Sequence, residues 1–307
     1  MRVGGTSHSR PTRAERVDHD LGIREDVEFF GAPERLFGAR HLPADGRAAP
    51  GAPLGVVICS PVLADFGANY QREVRLARRL AAAGLPVQRF HPRGTGHSDG
   101  ERTALTFPAL VADARAAVDR LRAACAPAAV ALVGSRLAAL AAGVVADDLP
   151  GAPVVLWDPV PSLRAYLRGG GRAQAVHLVG KPGHGDGDGP EPPERQLERR
   201  GYVDLLGIPV GPGLYGAGDA PALADVLAAG GDGGPARPVL LVQFAPGDPT
   251  PPYAAAADAW RARGADVTVA VRPCDESWWF IPDRLAPADA VLDTTVAWIA
   301  ERAGVAA

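Results

Sequence analysis

The sequence predicts an α/β fold, a mostly parallel sheet flanked by helices with an insertion above one edge. Three observations predict it. Short apolar runs alternate with amphipathic helical stretches, the order that builds a parallel sheet covered on both faces. The alternation breaks between about residues 163 and 235 and then resumes. Apolar residues are 47% of 307, enough to fill a sizeable core.

The elements follow in chain order. Residues 1–24 are polar, charged and without periodicity, and read as a disordered tail, leaving 25–307 as one domain. Val27 to His41 alternates weakly around Gly31 and Gly38 and reads as a hairpin of edge strands. Val56–Cys59 is a buried strand. Arg72–Ala83 is an amphipathic helix stopped by Gly84. Val87–Phe90, Ala129–Val133 and Val154–Trp157 are further strands, with helices over Phe107–Ala123 and Leu137–Val145 between them. The break is taken as a lid insertion, with a flexible Gly183–Pro193 run and a helix from about Glu194 into Leu206. Strand Val239–Phe244, helix Pro252–Arg263, strand Val267–Val271 and helix Ala288–Arg302 complete the pattern.

Composition excludes several function classes. Net charge is −3, so charge gives no support for binding nucleic acid or an anionic membrane. Of the 32 basic residues only Lys181 is a lysine, which fits a genome-wide composition bias better than a binding function. Cys59, Cys125 and Cys274 are few, odd in number and widely spaced. They form neither a metal spacing nor a disulfide framework, so a cytoplasmic protein without metal or cofactor is expected. No stretch approaches ~20 apolar residues free of charge. The expected partner is a small-molecule ligand or substrate.

Three segments carry chemistry. Arg89 to Ser98, with Arg93-Gly94-Thr95-Gly96-His97-Ser98, resembles a strand-end turn of the pattern D-x-R-G-x-G-x-S, with His91 at the position of the acid. Val130 to Ala139 holds Gly134-Ser135-Arg136-Leu137-Ala138 between a strand and a helix, where G-x-S-x-G forms a nucleophile elbow. Gly247-Asp248 follows a strand, where a triad acid is delivered. In this order the segments resemble the α/β-hydrolase superfamily, over roughly Val27 to Ala300. The closer resemblance is to its serine aminopeptidase-like branch, and within it to exosortase-associated hydrolase-like proteins with a degenerate triad, in which G-x-R-x-G elbows are common. Val155-Leu156-Trp157-Asp158-Pro159-Val160 and Trp278-Trp279-Phe280 add to it. The resemblance implies hydrolysis or acyl transfer at an ester, thioester or peptide bond.

The residues leave that chemistry open. Acyl transfer needs an exposed nucleophile, an imidazole base and an orienting carboxylate. With Gly134 as the first glycine and Ala138 as the last, the nucleophile position falls on Arg136, which is always protonated and cannot attack. Ser135 lies one residue early and is the candidate nucleophile of a shifted frame; otherwise it is a turn serine. Asp248 is the candidate acid or a plain turn residue. The base follows the acid in this fold, yet the last histidine is His184. His91, His97, His177 and His184 remain as bases from elsewhere. His91, Asp158 and Arg136 are pocket candidates, and the backbones of Val62 and Leu137 are the expected oxyanion donors. The alternative is a non-catalytic protein that binds an anionic ligand or a protein partner through Arg136.

Overall fold

A computed structural model describes residues 13–44, 51–179, 191–218, 220–227, 236–274 and 288–306. The Gly183–Pro193 run up to residue 190, His184 and the Trp278-Trp279-Phe280 cluster lie outside the described residues. So does the side chain of His177.

The sheet has nine strands. Along the chain they are β1 (Arg13–Asp18), β2 (Ile23–Phe30), β3 (Leu36–Pro43), β4 (Gly55–Cys59), β5 (Val87–Phe90), β6 (Val130–Ser135), β7 (Val154–Trp157), β10 (Pro238–Gln243) and β11 (Asp266–Val271). Strands β8 (Val203–Leu205) and β9 (Ile208–Val210) form a separate antiparallel pair. The spatial order is β1-β2-β3-β5-β4-β6-β7-β10-β11. From β5 to β11 every pair is parallel; β1, β2 and β3 form an antiparallel wing.

Helices α1 (Ala64–Ala82) and α8 (Asp289–Ala303) cover one face. Helices α2 (Phe107–Cys125), α3 (Leu137–Ala146) and α7 (Pro251–Ala262) cover the other. The period-2 alternation of each central strand divides the core between them. Val57, Leu132, Leu156 and Leu241 face α2, α3 and α7, whereas Val56, Val133, Val155 and Leu240 face α1 and α8. Thr106 starts α2 by accepting a hydrogen bond from the Ala109 N–H at 3.1 Å. Trp157 at the end of β7 donates its indole N–H to Thr295 Oγ1 of α8 at 2.9 Å.

Between β7 and β10 stand α4 (Leu163–Val179), α5 (Pro193–Arg200), β8, β9 and α6 (Pro212–Tyr215). Leu163, Leu167, Leu205 and Leu214 join this insertion to the main core. The expected long helix into Leu206 stops at Arg200, because Gly201 takes the left-handed conformation (φ 76°) that ends a helix. No helix of the described residues is long and apolar enough to cross a membrane.

Ordered structure starts earlier than the sequence reading placed it. Arg13–Asp18 pairs with β2, and Ile23 is fully buried. The reason is physical: β1 is an edge strand held by backbone hydrogen bonds, so its side chains need no apolar periodicity. Helix α1 also starts at Ala64 rather than Arg72.

Ile23→Ala should therefore lower the unfolding free energy by about 2–5 kcal/mol in urea denaturation, the cost of a cavity at a core isoleucine. A loss within the usual surface range of about 0.5 kcal/mol would place Ile23 outside the core.

Candidate functional site

The site forms where β6 hands over to α3. Arg136 occupies the turn with φ 54° and ψ −122°, a conformation that non-glycine residues avoid. Gly134 permits the tight approach of the helix, since a Cβ there would lie 2.7 Å from Ala139 Cα. The Arg136 N–H donates to Trp157 O at 3.0 Å, and the Val160 N–H donates to Arg136 O at 3.4 Å. The elbow is thus stitched to the end of β7. Asp158, the next residue of that strand end, also has positive φ (40°).

Two strained residues at adjacent strand ends bring their side chains together. Arg136 Nη1 donates to Asp158 Oδ2, and to Asp158 O at 2.9 Å. Arg136 Nε lies 3.4 Å from Asp65 Oδ1. Burial opposes the guanidinium charge, but Asp65 and Asp158 outweigh it and raise the Arg136 pKa above its usual value. Asp158 is 6% exposed and further accepts from Tyr253 Oη at 3.0 Å and Phe244 N at 3.3 Å. Tyr253 Oη also donates to Pro159 O at 2.8 Å.

Ser135 does not face this cleft. It is 0% exposed, and its hydroxyl donates to Glu73 Oε1 at 3.3 Å. Ser60 donates to Glu73 Oε2 at 2.6 Å. Glu73 is itself fully buried, and burial pushes its pKa up to about 7, against the lowering pull of Ser60, Arg89, Ser135 and Arg72.

The other candidates are dispersed. Asp248 is exposed in the turn before α7. Its carboxylate has no hydrogen bond or ion pair among the described residues, and its backbone carbonyl accepts from Gln243 Nε2 at 3.1 Å. Gln243 also holds Ala245 O and Thr250 N, so that side chain shapes the turn. His91 is buried in an aromatic cage, with ring centroids 4.5 Å from Phe37 and 4.9 Å from Phe66. Its Nδ1 accepts from the His97 N–H at 3.1 Å. Burial, with Arg89 and His97 nearby, lowers its pKa to about 3 and keeps the ring neutral. Gly96 (φ 58°) makes room for that ring, since a Cβ there would lie 2.4 Å from Nδ1. Val62 and Leu137 are fully buried, and neither lines a cavity described below. Among the described residues no cluster of His, Cys, Asp or Glu could hold a metal ion.

A cavity of about 560 Å³ opens between the elbow and α4. Its polar wall is Asp65, Arg136, Tyr166, Arg172 and Tyr253; Leu63, Val160 and Leu205 are among its apolar residues. A smaller recess of about 100 Å³ adjoins it, reached by Arg136, Asp158, Arg72 and Asn69. Sequence reasoning missed Asp65, Tyr166, Tyr253 and Glu73. Tyr253, just after Thr250-Pro251-Pro252, was the one with a visible signal, a polar aromatic in the first turn of a helix that follows a strand end.

No family model matches the chain, and no curated protein matches it. Solved structures do. Est1E of Butyrivibrio proteoclasticus with ferulic acid bound is similar at TM-score 0.59 and 15% identity, covering 89% of this chain and 98% of that one. An esterase of Pyrococcus furiosus is similar at TM-score 0.59 and 14% identity, covering 98% and 96%. A protein of Agrobacterium vitis described as a hydrolase is similar at TM-score 0.53 and 19% identity, covering 90% and 97%. The fold is that of the α/β hydrolases.

Glu73 has a measurable consequence. Its folded pKa of about 7 lies above its ordinary 4.5, so the folded state holds the proton longer and stability falls as pH rises through that window. The slope reaches at most about 1.4 kcal/mol per pH unit. His91, held to about 3 in the fold, has the opposite sign between that value and 6.5. The comparison to make is therefore wild type against Glu73→Gln, by denaturation at pH 5, 6 and 7. The difference should move steadily toward Glu73→Gln as pH rises, and a flat difference would show that Glu73 does not titrate there.

Proposed function

We propose that this protein binds a small carboxylate- or carbonyl-bearing molecule in the cavity beneath α4 and does not hydrolyse it. One observation carries the reading: the apex of the elbow bears Arg136, a cation fixed between Asp158 and Asp65 and lining the cavity. A guanidinium cannot attack a carbonyl carbon, but its N–H groups suit an oxygen ligand. Nη1 is committed to Asp158 and Nε faces Asp65, while no hydrogen bond of Nη2 is found among the described residues. The side chain is 26% exposed and lines the cavity. The insertion acts as a lid. The cavity volume falls in the range of roughly 300–1,000 Å³ common for small-molecule sites, and ferulic acid, the molecule bound by Est1E, is an aromatic carboxylic acid of suitable size.

A second reading, hydrolysis of an ester, thioester or peptide bond by a rearranged site, is favoured by the elbow itself, which keeps its strained backbone at a helix N-terminus. Against it stand the buried Ser135, the exposed and unpaired Asp248, and the absence of any histidine after His184 in the sequence.

Two measurements separate the readings. A fluorophosphonate probe should label no serine, and p-nitrophenyl esters should show no turnover above buffer; labelling of Ser135 would establish the hydrolase. In a thermal-shift assay ferulate should raise the melting temperature of wild type. Arg136→Ala should abolish that rise and also lower the starting stability, by roughly 1–3 kcal/mol, because the buried Asp158 carboxylate loses a donor. If wild type responds to no carboxylate while Arg136→Ala is strongly destabilised, the arginine is a structural strut and the binding reading fails.

A further inference from the structure

A second cavity lies beside α4, outside the elbow site. It measures about 590 Å³, and its described lining includes Ser162, Leu163, Arg164, Leu167, Arg168 and Tyr215. None of the described lining residues carries a carboxylate, in contrast to the elbow cavity with its Asp65.

The two arginines stand four residues apart, one helical turn, so their side chains rise side by side with Cβ atoms roughly 5–6 Å apart. Both are exposed, and neither has a hydrogen bond or ion pair among the described residues. Arg172, one turn further along α4 and lining the elbow cavity, is likewise without a partner among the described residues, whereas several other exposed arginines are paired. Arg35 pairs with Asp99, Arg75 with Asp289, Arg115 with Asp148 and Arg199 with Glu191. Like charges one turn apart disfavour a helix that has no counter-charge beside them. The pair also sits near the positive end of α4, whose first turn Ser162 caps by accepting from the Ala165 N–H at 3.1 Å. Tyr215 Oη is a further donor with no partner among the described residues. Burial raises its pKa, with Glu194 adding to the shift, and keeps the phenol protonated. Ala217 and Ala220, both half-buried, supply the accessible apolar surface of the same cavity, with Leu163 and Leu167 buried in the core.

We infer that this cavity binds a phosphate monoester with an apolar substituent, the phosphoryl group held by Arg164 and Arg168 and the substituent laid along Ala217 and Ala220. A phosphomonoester carries close to two negative charges near neutral pH, which balances two guanidiniums, and its three terminal oxygens suit two planar forks and a phenol donor. A carboxylate neutralises only one. The source is either a soluble metabolite or a lipid headgroup, since the chemistry at the arginines is the same.

Calorimetric titration of the full-length protein tests this with phenyl phosphate, inorganic phosphate and phenyl sulfate. Phenyl phosphate should bind saturably. Inorganic phosphate should bind more weakly, having no group to cover Ala217 and Ala220. Phenyl sulfate, a monoanion of the same shape, should also bind more weakly. The double variant Arg164→Ala/Arg168→Ala should weaken phenyl phosphate at least about tenfold, with an unchanged melting temperature because both side chains are exposed and unpaired. Arg164→Lys/Arg168→Lys should recover part of the affinity, which separates lost charge from lost shape. Co-flotation with phosphatidic acid vesicles that is abolished in the double alanine variant identifies a lipid headgroup; no flotation beside intact phenyl phosphate binding identifies a soluble ester. The inference is overturned if wild type does not bind phenyl phosphate, if phenyl sulfate binds equally well, or if the double alanine variant binds as wild type does.

Discussion

The contact between Arg136 and Asp158 is the constraint around which the site is built. Each residue holds a backbone conformation that costs of order 1–3 kcal/mol, and each sits at the end of a neighbouring parallel strand. Such strain persists only where the surroundings over-determine it. Here the Asp158 N–H is held by Val242, its carboxylate by Tyr253 and Phe244, and the Arg136 backbone by Trp157 and Val160. Four neighbouring stretches of chain meet at one ion pair. The turn thus carries a fixed cation at its tip.

Directly below lies a second polar layer that the cleft does not see. Ser60 opens the loop after β4, Ser135 ends β6, and Glu73 on α1 receives both hydroxyls. A carboxyl group removed from water survives there because two donors meet it and because it can stay protonated near neutral pH. The layer fixes the direction in which Ser135 points, away from the cavity, and thereby leaves Arg136 alone at the tip.

Much of the architecture was legible in the residues. Val87–Phe90 and Val154–Trp157 are short apolar runs whose both faces are covered, and the sequence marks such strands cleanly. The insertion announced itself by a break in the alternation. What was illegible depended on contacts without a local pattern. Strand β1 is held by its backbone, so the tail boundary was misplaced. Asp65 belongs to a helix turn that carries no start signal, since Leu63 before it makes no side-chain cap. Glu73 reads as a solvent-facing charge among the arginines of α1, yet it points into the core. Asp158 was legible because a carboxylate just past a strand end has few bland uses, whereas Asp248, in an equally suggestive place, belongs to a turn organised by Gln243.

The bond from the Trp157 indole to Thr295 also bears on how the molecule is made. The elbow's own strand and its neighbours β4 and β7 have all been translated by residue 157, but the hydroxyl that receives the indole N–H comes 138 residues later. At typical synthesis rates of about 5–20 residues per second, that interval is on the order of ten seconds. For that time the nascent sheet lacks α8 over one face, and a buried-to-be tryptophan has no acceptor. The last helix is thus a closing piece for vectorial folding, and a chain released short of it would leave the ribosome with one face of its central sheet covered by α1 alone.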